Sequence, residues 1–158
     1  MTSPSNVRLA VPEDKLAVFE LCKMLHAENG LFPMDDDLVQ ETMMKGINRN
    51  GGVLGVIGPV GGPLEGVIYM TILNFWYSRK PHLAELFSYV PPEHRKSNHA
   101  KVLIEFAKQC ATDDIKLVIG VISNNRTEAK VRLYERRLGK PVGAFFLYPP
   151  NPPAMNHG

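Results

Sequence analysis

The run Arg95-Lys96-Ser97-Asn98-His99-Ala100 has the residue types of an anion-binding turn. It follows an apolar run, 83–90, punctuated by Pro91 and Pro92, and opens a pattern with Ala100, Leu103, Ile104, Ala107 and Ala111 on one helical stripe. The first turn of a helix leaves backbone N–H groups without intrahelical partners and carries partial positive charge, which suits a phosphate. Arg95, Lys96 and Lys101 add formal charge beside it. Taken alone, the run equally fits an ordinary strand-to-helix loop with solvated lysines, the commoner use of such residues.

Other polar clusters carry less. Asp35-Asp36-Asp37 lacks the glycine and distal glutamate of a calcium loop and reads as an acidic helix start. Gly61-Gly62 is not followed by Gly-Lys-Ser/Thr, so it reads as a turn and not a phosphate loop. His82, His94 and His99 read as structural or exposed. His94 and His99 do not have the spacing of three or four that aligns two ligands on a helix, and no metal is expected. Cys22 and Cys110 fall in apolar stripes and read as core residues of a reduced, cytoplasmic protein. A net charge of +2 makes no case for nucleic acid or a membrane surface. Arg126, Arg132, Arg136 and Arg137 read as a solvated helix face. Neither a secretory signal nor a membrane-spanning run is expected.

The elements that must position these residues follow from periodicity. Val7, Leu9 and Val11 alternate as a short strand. Pro12-Glu13-Asp14 begins a helix with Val18, Leu21, Cys22 and Leu25 inward, stopped by Asn29-Gly30. After a loop at 31–34, a second helix opens at Asp35 with Leu38, Thr42, Met43, Gly46 and Ile47 inward, and Asn50-Gly51-Gly52 ends it. Runs 53–58 and 64–77 are strand-like, joined by a turn at 59–63. Strand 83–90, helix 98–112, a doubly buried strand 116–122, helix 127–138 closed by Gly139, and a last strand 142–148 complete the order. This predicts one α/β domain over 1–148 and a proline-rich flexible tail over 149–158. The sheet is mixed, mostly antiparallel, of six or seven strands, with helices on both faces. The unit from 83 to 122 is a parallel, right-handed β-α-β crossover whose ligand sits at the carboxyl ends of the strands.

In this order the chain resembles the GNAT (Gcn5-related) N-acetyltransferases, from Val7 to about Tyr148 and most strongly over 83–139. That family's signature is Arg or Gln, two residues, Gly, one residue, then Gly or Ala; Arg95 to Ala100 matches it except at Asn98. Val90 with Pro91 and Pro92 resembles the residues before that arginine. Leu133-Tyr134-Glu135-Arg136 resembles the core of a second block over 124–139. The resemblance implies acetyl-CoA as co-substrate. Its pyrophosphate would lie on the amides of Arg95, Lys96, Ser97, Asn98, His99 and Ala100. Its pantetheine would lie between the strands at 83–90 and 116–122, against the backbone of Tyr89 and Val90, with Asn125 also in the binding set. Asn98 stands where glycine is usual; glycine allows positive φ and close approach, and asparagine tolerates left-handed φ better than most. Lys140-Pro141 replaces an aromatic, and one strand follows Gly139 where two are usual.

The implied reaction moves an acetyl group to a primary amine of a small molecule or peptide. Tyr134 would be the acid that protonates the leaving thiolate, the alternative being a half-buried core tyrosine. Glu85 would be the base, raised in pKa by desolvation, or else a solvent-facing strand residue. Phe32, Phe75, Trp76 and Tyr77 would wall an acceptor site, or pack in the core or a dimer. Glu28 and Asp35 would attract a cationic amine. The alternative function is a non-catalytic acyl-CoA-binding or interaction module. A nucleotide-binding domain lacks its glycine pattern. The apolar run 143–148 at a sheet edge implies a possible homodimer.

Overall fold

The computed structural model describes residues 6–123 and 126–150. Its elements run β1 (Val7–Leu9), a 3-10 turn (Pro12–Asp14), α1 (Lys15–Asn29), α2 (Asp36–Ile47), β2 (Gly52–Ile57), β3 (Gly66–Asn74) and β4 (Pro81–Tyr89). A second 3-10 turn (Pro92–His94), α3 (His99–Cys110), β5 (Leu117–Val118) and α4 (Thr127–Leu138) follow. The sheet order is β1-β2-β3-β4-β5. The first three pairings are antiparallel, and β4 with β5 is parallel. This is the mixed α/β sheet with a parallel β-α-β core that the sequence predicts.

The strand count is a correction: five strands are present among the described residues, not six or seven. Residues 142–148 form no strand. Val142, Phe145, Phe146 and Tyr148 are exposed, so their β-favouring side chains find no second strand to pair with. The apolar run at 116–122 shrinks to the two residues of β5, which pair only as Leu83 with Leu117 and Ala84 with Val118. Beyond Ala84 the two parallel strands no longer pair, which leaves the carboxyl-terminal half of β4 with an open edge on that side.

Alternation along β3 builds two cores. Val67 and Tyr69 face α1 and α2, joining Val18, Leu21 and Met43. Ile68 and Met70 face the other way, joining Val102, Leu103 and Ala107 of α3. Helices therefore cover both faces. Cys22 is buried, Cys110 is partly buried, and both are free thiols. Asp35 caps α2, its carboxylate accepting from Leu38 N–H at 3.0 Å. Leu38 itself is exposed, and Val39 packs inward in its place. Gly139 ends α4 with φ 105°, a conformation that favours glycine. Among the described residues no helix is long and apolar enough to cross a membrane.

Candidate active site

The site begins with an irregularity in β4. Tyr69 pairs with Phe87, but Met70 pairs with Glu85, so Leu86 is an extra residue on β4. Such a bulge reverses the alternation of side chains on either side of it. Phe87 and Tyr89 belong to the α1/α2 core, with Phe87 edge-on to Tyr69 at 5.7 Å between ring centroids. Leu83 belongs to the α3 core. Glu85 lies opposite Met70, and Ser88 opposite Ile68; both partners face α3. Glu85 and Ser88 thus share the α3 face although their spacing is odd.

Helix α4 brings Tyr134 to this place. The Tyr134 hydroxyl lies 3.2 Å from Ser88 Oγ. The Ser88 hydroxyl also lies near enough to the Glu85 carboxylate to lower its pKa. Burial pushes Glu85 up to about 7, with Ser88 opposing. Burial, then the Glu85 charge, pushes Tyr134 up to about 12, again with Ser88 opposing. Near neutral pH, Tyr134 therefore holds its proton while Glu85 exchanges one. Glu85 and Tyr134 are both half-buried, and the Tyr134 hydroxyl is satisfied by Ser88, a setting that the acid and the half-buried core tyrosine share.

Beside this pair a cleft of about 250 Å³ opens, with Glu28, Tyr89, Val90, Arg95, Lys130 and Tyr134 in its lining. Arg95 and Ala100 reach it from the turn. Arg95 folds back across the cleft. Its Nη2 donates to both carboxylate oxygens of Glu28 (2.7 and 2.8 Å), and its Nε donates to Val90 O at 3.0 Å. Tyr89 OH donates to the same Glu28 at 3.0 Å. Burial and the Glu28 bond raise the Tyr89 phenol to about 12. Glu28 is held below its ordinary value by Arg95 and Tyr89 against the opposing effect of burial. In the free chain it binds the protein's own cation, Arg95. Asp35 is likewise occupied as a helix cap.

The turn differs from its expectation in one respect. Asn98 has φ −94° and ψ 18°, so no left-handed backbone is needed where the glycine would stand. Three of the turn's amides are used internally: Arg95 N–H donates to Pro92 O at 3.3 Å, Ser97 N–H to His94 O at 3.2 Å, and His99 N–H to Ser97 Oγ at 3.1 Å. The amides of Ala100 and Lys101 follow them in the first turn of α3, where a helix start presents donors. Lys96 is exposed, and the His99 ring turns to Glu65 at 2.8 Å. Asn125 lies outside the described residues.

Glu28, Ser88 and Lys130 also line the cleft, a place that periodicity does not announce. Lys130 Nζ donates to Ser123 Oγ (2.8 Å) and Asn29 Oδ1 (3.2 Å), and burial lowers its pKa. The aromatic residues lie elsewhere. Phe75 stacks on His82 (4.5 Å) and on Tyr77 (5.8 Å) at the β3–β4 turn, with Phe75, Trp76 and Tyr77 all exposed. Core packing is thereby ruled out for Phe75. Phe32 is also exposed. Phe75, Tyr77 and His82 line a second cavity of about 220 Å³ with Lys80 and Asp114.

No family model matches the chain, and no curated protein matches it. Solved structures do share its fold. One is a possible acetyltransferase from Clostridium difficile 630, with TM-score 0.69 and 16% identity over 90% of this chain and 95% of that one. Another is the ribosomal-protein-alanine N-acetyltransferase from Brucella melitensis biovar Abortus 2308, with TM-score 0.65 and 19% identity over 89% and 96%. A third is AAC(6')-Iy in complex with the bisubstrate analogue CoA-S-monomethyl-acetylneamine, with TM-score 0.70 and 14% identity over 92% and 97%. At these identities the likeness is one of fold, and the fold is the GNAT acyltransferase fold that the sequence leads one to expect.

Proposed function

We propose that the chain is an acetyl-CoA-dependent N-acetyltransferase acting on a primary amine. The observation that carries this reading is the grouping of Tyr134, hydrogen-bonded to Ser88, with Glu85, whose charge acts on Tyr134: a protonated phenol beside an exchangeable carboxyl. A bound acyl thioester would supply an electrophilic carbonyl and a thiolate leaving group. Arg95, Lys130 and Arg126 in the cleft, with the first-turn amides of α3, are the groups that would hold its phosphates. The backbone of Tyr89 and Val90 would hold its pantetheine once Arg95 leaves Val90 O.

In this reading Glu85 takes one proton from the substrate ammonium, and the freed amine forms the new C–N bond. The amine nitrogen sheds its second proton to solvent. The C–S bond breaks, and the sulfur takes the Tyr134 proton. Ser88 then passes the Glu85 proton to the Tyr134 phenolate, so both groups are reset and one proton is released per turnover. A base near 7 and an acid well above it are the opposed pair such a transfer needs.

The test is CoA release over a panel of amines, peptides and aminoglycosides. N-terminal alanine peptides and neamine belong in it because two fold neighbours are named for, or bound to, such groups. Amine-dependent CoA release, lost in Tyr134→Phe, supports the reading. CoA binding without release over the whole panel identifies a binding module. Absence of any binding heat with acetyl-CoA removes both. The exposed apolar segment at Val142, Phe145 and Phe146 supports pairing with a second copy. Light scattering that finds only monomer at high concentration counts against that pairing.

A further inference from the structure

Three side chains outside the acyl-transfer site converge where the β2–β3 loop meets the start of α3. His99 Nε2 lies 2.8 Å from Glu65 Oε1, and His94 Nδ1 lies 3.6 Å from the same oxygen. All three donor atoms fall within 4.8 Å of one another. A tetrahedral zinc ion, with bonds near 2.1 Å, needs donor atoms about 3.4 Å apart. The two measured gaps straddle that spacing. We propose that Glu65, His94 and His99 form a three-donor site for a divalent first-row transition ion, with a fourth position open to solvent.

The chemistry of the set favours this class. Two imidazoles and one carboxylate suit zinc, cobalt or nickel, whereas calcium and magnesium call for oxygen donors. The backbone also holds the donors in advance. Glu65 N–H donates to Ile57 O at 2.7 Å, which fixes the carboxylate next to the first residue of β3. Ser97 Oγ donates to His94 O at 2.5 Å and accepts from His99 N–H at 3.1 Å, so one hydroxyl clips the two histidine backbones together. The His99 side chain is only 12% exposed and Glu65 and His94 are 42% and 33% exposed, so an ion can enter from one side. His94 ends a 3-10 turn while His99 opens a helix, so the two rings meet without the spacing of a single helix. The bound ion would tie the β2–β3 loop to the turn that begins α3. This site does not depend on the acyl-transfer reading.

The experiment uses the full chain, freed of metal with a chelator and titrated with Zn²⁺ against a competing chromophoric chelator. Co²⁺ serves as a spectroscopic probe. The expected result is one saturable equivalent of Zn²⁺, with visible Co²⁺ absorption of a four- or five-coordinate site. His94→Ala and Glu65→Gln should each weaken Zn²⁺ binding by at least about 10-fold. His94 anchors the turn through its backbone carbonyl, so the His94→Ala chain keeps the parent circular dichroism; Glu65→Gln is a near-isosteric second variant. Absence of saturable Zn²⁺ binding overturns the site. Affinity within 10-fold of the parent in either variant overturns it too, and shows the cluster to be a hydrogen-bonded carboxylate only.

Discussion

Glu85 and Ser88 lie on one face of β4 because the bulge at Leu86 removes one step of the strand's alternation. In a regular strand, residues at that spacing point to opposite faces. The bulge thus places the carboxyl where the Ser88 hydroxyl reaches it and where Tyr134 feels its charge. These three side chains meet between a bulged strand and a helix that comes later in the chain.

Glu85 makes the acid limb of the pH profile. Its carboxyl is raised to about 7, so kcat/KM rises as pH passes through about 7. Glu85→Gln removes that limb and lowers kcat by about 100-fold or more. The stability effect has its own sign. A carboxyl raised on folding contributes stability at low pH that is lost as pH rises through the folded value. Glu85→Gln is therefore more stable than the parent at pH 8 and not at pH 4. Thermal melts at the two pH values measure this, and equal shifts at both would show Glu85 to be solvated.

Ser88 lowers both neighbours, since it opposes the rise at Glu85 and at Tyr134. Ser88→Ala moves the acid limb of kcat/KM to higher pH. A packing role alone would lower activity and leave the limb where it was. Tyr134→Phe leaves CoA affinity within about 3-fold and lowers kcat by about 100-fold, the range of one positioned acid. Tyr134 ionises near 12, so the parent has no alkaline limb from it below pH 10.

How far the sequence reached depends on whether local chemistry or partner strands decided the outcome. The helices were legible from apolar stripes, the Asp35 cap and Gly139, all of which act within a few residues. The order of elements was legible from periodicity, and Glu85 and Tyr134, both named through the resemblance, lie close enough for the charge of one to act on the other. The Leu86 bulge was not, because register is set by β3 and not by β4 itself. The lost strand at 142–148 has the same cause: its residues favour a strand, but pairing needs a neighbour. Asn98 looked like a strained glycine substitute, yet with φ −94° it is an ordinary helix-flanking residue. The Arg95–Glu28 and Glu65–His94–His99 contacts join segments far apart in sequence, which no periodicity reports.

In the proposed acyl-CoA reading, the Arg95–Glu28 pair would oppose binding in the free chain. The guanidinium is held by Glu28, and its Nε occupies Val90 O, the carbonyl the pantetheine would use. A ligand that needs Arg95 elsewhere must first populate that arrangement, and its apparent affinity falls accordingly. Glu28→Gln weakens the hold and removes a negative charge beside the phosphate-binding groups. CoA affinity then rises by about 5-fold or more, a typical coupling free energy. Calorimetry with CoA measures it. Weaker binding in the variant would mean instead that Glu28 positions Arg95 for phosphate.

Asp14 is the residue on which the scaffold's β1 end depends. It is fully buried, and its carboxylate accepts from Arg8 Nη1 (2.8 Å) and Nη2 (2.9 Å), Val11 N–H (2.8 Å) and Gly61 N–H (3.0 Å). These bonds join β1, the start of α1 and the loop between β2 and β3. The Arg8 bond, opposed by burial, holds the carboxyl down at about 2. Asp14→Asn leaves Arg8 without its counter-charge and destabilises the chain by about 2–3 kcal/mol, the size of the shift in the Asp14 carboxyl. A carboxyl depressed on folding contributes stability above its ordinary value that is lost as pH falls through the folded one. The gap between parent and Asp14→Asn is therefore constant at neutral pH and closes as pH falls from 3.8 toward about 2. Urea unfolding across that range measures it, and a gap that does not narrow would mean that shape, and not charge, is what Asp14 contributes.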